Sequence, residues 1–159
     1  MKVLSLTEPY ATLVKKGFKT IDTRSWKTRY RGKLYIHASS TRIPKDYREN
    51  QELMSLVDLQ ELNYGNIICD CELNDCILMT DSFVEEIRKN QSEFVSGVYA
   101  PGRYAWIFKN ITVLDHPIPA MNVEGSRQEY CLSSECQRVR KRKNRQDCDA
   151  RKRQAEQKD

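Results

Sequence analysis

Lys19-Thr20-Ile21-Asp22-Thr23-Arg24-Ser25-Trp26-Lys27-Thr28-Arg29-Tyr30-Arg31-Gly32 is the stretch on which the reading of this chain turns. Its first half alternates as a β-strand does, with Ile21 and Thr23 on one face and Asp22 and Arg24 on the other. The polar face sets a carboxylate two residues from a guanidinium, and Trp26 and Tyr30 follow. A planar, hydrogen-bonding ligand needs such a set: an acceptor, a fork of donors and aromatic planes. The competing reading is a solvated strand edge with a surface ion pair, worth ~0 to 1 kcal/mol.

The flanks fit an α+β order of strand, short helix, strand. Val3, Leu4 and Leu6 form a short apolar strand, and Thr7 is placed to cap a helix that holds Glu8 and Pro9 in its first turn, runs to Lys16 and stops at Gly17. Tyr10, Leu13 and Val14 share one helical face, while Lys15 and Lys16 suit the carbonyl end of the dipole. Lys33 to Ser39 alternate again, with Leu34, Ile36 and Ala38 inward and Tyr35, His37 and Ser39 on the face that continues from Asp22. Further helices are expected over Leu53 to Leu62 and over Asp81 to Asn90, the second capped by Thr80 or Asp81.

Three runs, taken together and in order, resemble the activating-signal-cointegrator homology (ASCH) domain. They are Leu4-Ser5-Leu6-Thr7-Glu8-Pro9-Tyr10-Ala11, then Gly17-x-Lys19 to Trp26, then Tyr30-Arg31-Gly32-x-x-x-Ile36-His37-Ala38-Ser39. Gly102-Arg103-Tyr104-Ala105-Trp106 and the apolar alternation through Ile107, Ile111 and Val113 resemble the closing strand of the same domain. The resemblance implies a small PUA-like β-barrel with short helices flanking one opening. It also implies a nucleic-acid or nucleotide site in the cleft between the first helix and the barrel. Short alternating segments favour a closed or nearly closed barrel of six strands, since closure removes exposed edges.

Charge divides the 159 residues. From Ser126 onward there are 11 Lys or Arg and 6 Asp or Glu, a net of +5 that equals the whole chain's, so residues 1–125 are near neutral. We therefore expect an ASCH domain over 1–125 and a basic tail over 126–159. Val139 is the one aliphatic residue larger than Ala after Leu132, so the tail cannot bury enough surface to fold alone and is expected to be disordered or helical. Arg138, Arg140, Lys141, Arg142, Lys143 and Arg145 form a cluster suited to phosphate backbones, to an acidic protein partner, or to solubility alone.

Cys69 and Cys71 fall on one face of a long strand running to Leu78 with Cys76, where thiols act as small core residues. Cys131, Cys136 and Cys148 lack the spacing of a closed zinc site, so no metal or cofactor is expected. Free-thiol usage, no signal peptide and no run of ~18 apolar residues point to a cytoplasmic protein, or a nuclear one in a eukaryote, with no membrane partner.

Three functions remain open. The first is binding of RNA, a nucleotide or a modified nucleoside. Trp26 or Tyr30 would stack a base, Asp22, Thr23 and Arg24 would read its edge, and Lys19, Arg31, His37 or Arg103 would complete the site or meet phosphate. The second is catalysis. The resemblance implies that some small ASCH proteins are amidohydrolases acting on N4-acetylcytidine, with a Lys matching Lys19 and a Thr nucleophile three residues on. Here that position is Asp22, so a Thr-nucleophile mechanism loses its nucleophile. The Asp22 carboxylate could instead act as a base for water, and for the ribonuclease activity also reported in the family Lys19, Tyr30 and His37 supply suitable groups. The third is an interaction adaptor working through its tail.

Overall fold

The computed structural model describes residues 2–120. The basic cluster from Arg138 to Arg145, Cys131, Cys136, Cys148 and the whole of 126–159 lie outside the described residues. Among those described, no helix is long and apolar enough to cross a membrane.

Among the described residues five strands make one mixed sheet: β1 (Val3–Leu6), β2 (Ile21–Arg24), β3 (Gly32–Ala38), β4 (Asn66–Leu78) and β5 (Tyr104–Pro119), in the order β1-β3-β4-β5-β2. β1 and β3 run parallel, and every other pair is antiparallel. The helices are short: α1 (Tyr10–Lys15), α2 (Lys45–Glu49), α3 (Gln51–Ser55), α4 (Asp81–Arg88) and α5 (Gln91–Val95). β4 and β5 are long partners whose register shifts three times, between Ile67 and Cys69, Asp70 and Glu72, and Leu73 and Asp75. Each such irregularity bends a strand and increases its twist, so the sheet coils strongly.

One face of the sheet holds the main core. Leu4, Leu6, Leu34, Ile36, Ala38, Cys69, Cys71, Leu73, Trp106 and Phe108 meet Ala11 and Val14 of α1 there. Alternation places Leu34, Ile36 and Ala38 inside, as the sequence predicts. Burial pushes the Cys69 and Cys71 thiols up to about 12, which makes them inert packing groups. A second cluster of Ile21, Met79, Val84, Tyr99 and Ala105 covers the other face of β2 and β5, with Phe83, Ile87 and Phe94 packed against it.

Among the described residues the expected closed or nearly closed six-stranded barrel does not form: they hold five strands, β1 and β2 are edges, and the sheet is not closed. Exposed edges argued for closure, but side chains satisfy the β2 edge instead. Phe108 N donates to Thr20 O, so even-numbered residues of this segment bond to β5 and the odd ones face outward. The outward carbonyls of Ile21 and Thr23 accept from Lys19 Nζ (2.6 Å) and Arg103 Nη2 (3.3 Å). No sixth strand is needed to pair them.

Two local expectations also change. Thr7 does not cap α1 with its side chain; its carbonyl accepts from Tyr10 N, and the helix starts after Pro9. The buried carboxylate of Glu8 instead accepts from Thr12 N (3.0 Å), Thr12 Oγ1 (2.9 Å) and Asn63 N (3.1 Å). The helix expected over Leu53 to Leu62 is broken. α3 ends at Ser55, and the Asp58 side chain accepts from Gln60 N to start a separate turn of 3₁₀ helix, Leu59–Glu61, that leaves Leu59 exposed. The second helix does form as α4, with Thr80 Oγ1 accepting from Phe83 N.

Glu8→Ala should lower stability by about 1–3 kcal/mol, because the buried donors of Thr12 and Asn63 lose their acceptor. Denaturant unfolding of the full chain measures it; an unchanged midpoint would show that this carboxylate does not anchor α1.

Candidate functional site

The two sheet edges share one cleft. Ser5, Leu6 and Thr7 from β1 and its exit line a cavity of about 260 Å³ together with Asp22, Thr23 and Arg24 of β2. Tyr10 of α1, Tyr47 of α2, Lys19, Arg103 and the segment Ser96, Gly97 and Val98 after α5 complete the wall. The seam that a sixth strand would have filled is therefore the cleft.

Asp22 and Arg24 point into it as a pair, Nε to Oδ2 at 2.6 Å, with both side chains mostly withdrawn from water. The pair occupies only the Nε of Arg24. Among the described residues no other hydrogen bond engages its two terminal nitrogens, which are the tips of the fork. Arg24 also lies with its guanidinium carbon 5.8 Å from the ring centroid of Trp106, the fully buried residue opposite Asp22 in the β2–β5 register.

Lys19 is 1% exposed and donates to Ile21 O (2.6 Å) and Ser96 O (2.7 Å), its ammonium 5.2 Å from the Tyr10 ring centroid. Burial lowers its pKa from the usual 10.5, against the raising influence of Asp22 and Glu93. Arg103 spends Nε on Val98 O (3.2 Å) and Nη2 on Thr23 O (3.3 Å), and Thr23 Oγ1 accepts from Val98 N (3.1 Å). These contacts hold the loop after α5 against β2. Gly97 permits the close approach: a Cβ there would sit 2.8 Å from the Tyr99 ring and 3.2 Å from Thr23 Cγ2.

Of the residues singled out from sequence, Lys19, Asp22, Thr23, Arg24 and Arg103 converge on the cleft. Trp26, Tyr30, Arg31 and His37 are not among its lining residues. Trp26 packs edge-on against Trp106, with centroids 4.6 Å apart, and both Trp26 and Tyr30 lie against the main core. The Tyr30 hydroxyl donates to Lys33 O, while Arg31 closes its own loop on Thr28 O and Tyr30 O and reaches Asp75. His37 Nδ1 bonds Ser5 Oγ at 2.9 Å, one residue back from the cleft wall.

The aromatic planes of the cleft are Tyr10 and Tyr47, with ring centroids 5.1 Å apart. Burial raises the Tyr10 pKa, and Tyr47 adds to the rise, so Tyr10 stays a neutral hydroxyl at physiological pH. Tyr10 was legible only as a helix-face residue beside Leu13 and Val14, and no spacing marked Tyr47 or Ser96 to Val98. Glu93 was missed as well. Buried, it accepts from Tyr99 Oη and from Thr20 N at 2.6 Å each, and from Thr20 Oγ1 at 2.9 Å, and so fixes the strand entry that carries Lys19. Three or more His, Cys, Asp or Glu do not group into a metal-holding cluster among the described residues.

Lys19→Met should cost about 1–3 kcal/mol by leaving two buried carbonyls without donors. The pH dependence carries a sign. Because the folded pKa lies below 10.5, the unfolded chain holds more protons between the two values, and stability rises with pH in that window. The margin of wild type over the variant should therefore widen as pH approaches 10.5 and narrow below the folded value, as read from denaturant midpoints across alkaline pH.

A family model described as the ASCH domain matches residues 4–158. Activating signal cointegrator 1 of Homo sapiens is 29% identical over 94 residues, covering 58% of this chain and 16% of that protein. The Mus musculus protein of the same name is 29% identical over 102 residues, covering 58% of this chain and 18% of that one. The chain thus spans less than a fifth of the length of these curated relatives, whereas the family match takes in nearly all of it: the chain belongs to the ASCH domain family.

Proposed function

We propose that the cleft between the two sheet edges binds a base of single-stranded RNA or of a free nucleotide. The observation that carries this reading is the convergence of the Asp22–Arg24 pair with the Tyr10–Tyr47 rings in one cavity of about 260 Å³. That volume lies just under the ~300 Å³ at which pockets for drug-sized ligands begin, so it suits a nucleobase or nucleoside. Asp22 accepts from an amino or imino edge, Arg24 donates to a carbonyl or ring nitrogen, and a tyrosine ring offers a face for stacking. The ASCH family is linked to RNA binding, which supports the same class of ligand.

The basic cluster from Arg138 to Arg145 adds phosphate contacts that do not depend on sequence. Base reading and backbone attraction are then separable terms, one in the cleft and one in residues 126–159.

A second reading follows from Lys19, which is buried beside Asp22 and Tyr10 with its pKa lowered. An amine held in this way suits proton transfer in hydrolysis of an acylated nucleoside such as N4-acetylcytidine. Asp22 stands where the Thr nucleophile of such enzymes would be, so water activated by a carboxylate replaces direct attack by a hydroxyl.

Titration of a labelled single-stranded RNA against the full chain tests these readings. Asp22→Ala or Tyr47→Ala should each weaken binding by about 1–3 kcal/mol, the worth of one paired edge or one stacking platform. Changing Arg138, Arg140, Lys141, Arg142, Lys143 and Arg145 to Gln should weaken all sequences alike and flatten the salt dependence. No binding by the wild-type chain sinks the proposal. Release of acetate from N4-acetylcytidine, abolished by Lys19→Ala, would favour the hydrolase.

A further inference from the structure

From Thr23 to Lys45 the chain contains no Asp or Glu, yet it carries Arg24, Lys27, Arg29, Arg31, Lys33, Arg42 and Lys45. The fold divides these cations. Arg24 pairs with Asp22, Arg31 with Asp75 (2.9 Å), Lys33 with Asp70 (3.4 Å) and Lys45 with Glu49 (3.5 Å). Lys27 and Arg29, in the loop between β2 and β3, and Arg42, after β3, are exposed and have no ion pair among the described residues; of these, Lys27 and Arg29 share one loop.

That loop is built rather than slack. Trp26, Thr28 and Tyr30 turn inward while Lys27, Arg29 and Arg31 turn outward. Trp26 wedges edge-on against Trp106 and its carbonyl accepts from Trp106 Nε1 (3.4 Å). The buried Thr28 hydroxyl accepts from Tyr30 N (3.1 Å), and Arg31 Nη1 ties the carbonyls of Thr28 (3.2 Å) and Tyr30 (2.8 Å). The loop starts directly after Arg24, a residue of the cleft wall. Two unpaired cations thus stand on a frame tied to the core that follows the cleft residue Arg24 directly in the chain, where an incoming anion meets little further ordering cost.

We infer that Lys27 and Arg29 form a phosphate track, and that the ligand of the cleft is a single-stranded RNA whose backbone leaves over the β2–β3 loop rather than a lone mononucleotide. This rests on the base-binding reading of the cleft. An isolated nucleotide has no use for cations beyond the cleft wall. A strand with one base in the cleft places its neighbouring phosphates along the chain that continues from Arg24. Lys and Arg at such positions hold the backbone in register without reading sequence.

The test compares full-length Lys27→Gln, Arg29→Gln with a control of equal net charge, Lys89→Gln, Lys109→Gln, on exposed positions of α4's end and β5. Each is titrated with a labelled single-stranded RNA over a range of salt, and with the four nucleoside monophosphates. The loop variant should lose about 0.7 from the slope of log affinity against log salt for each phosphate contact, about 1.4 in all. The control should keep the wild-type slope, and the monophosphates should bind equally to the wild type and both variants. Equal slopes for the loop variant and the control overturn the track, as does RNA that binds no more tightly than a monophosphate. Failure of the cleft reading is distinct: Asp22→Ala and Tyr47→Ala would then leave both probes unaffected.

Discussion

The ammonium of Lys19 is the interaction on which the site depends. Withdrawing a charge from water costs several kcal/mol even after relaxation, so a fully buried lysine must be compensated by what surrounds it. Here the compensation is two carbonyls, the negative groups of Asp22 and Glu93, and the face of Tyr10. One of those carbonyls belongs to the β2 edge and the other to the residue that ends α5. A single side chain therefore completes a strand edge and fastens the loop that forms the far wall of the cleft. A paired sixth strand would have satisfied the same backbone at the expense of the cavity.

Glu93 is the counterpart from the helical side. Its carboxylate takes the backbone and hydroxyl of Thr20 and the hydroxyl of Tyr99, whose pKa burial raises, so the phenol remains a donor. Lys19 reaches from the strand to the α5 end, and Glu93 reaches from α5 to the strand entry. Between them residues 20–24 and 93–99 are bonded to one another at both ends, with Gly97 leaving room for Tyr99 and Thr23 to approach. Rigid walls of this kind reduce what a ligand must spend on ordering its site.

Elements whose causes are local were legible in the sequence. Alternation gave β3 and the inward thiols of β4, and the Thr80 cap with its following periodicity gave α4. The Asp22–Arg24 pair could be read because β-spacing puts residues two apart on one face. What failed had long-range causes. Lys19 and Ser96 are 77 positions apart, and Arg103 and Thr23 are 80 apart, so nothing nearby announces that side chains will close the β2 edge. Trp26 and Tyr30 were placed at the cleft because they follow Arg24 in the chain, yet the segment turns back over the core, where Trp106 receives Trp26. Tyr47 sits on a five-residue helix too short to show a period.

The ion pair within the cleft bears on the selectivity proposed for it. Asp22 and Arg24 shield one another, so neither stands as an uncompensated charge. A ligand that offered only donors would draw on the carboxylate and leave the guanidinium short of acceptors; one with only acceptors would do the reverse. Either mismatch leaves a buried polar group unpaired, which costs more than the gained contact returns. A base edge presents donor and acceptor side by side in one plane and can meet both members without parting them. On the proposed base-binding reading, the pair acts as a filter for mixed donor–acceptor edges, and the tyrosine faces beside it confine the accepted shapes to flat ones.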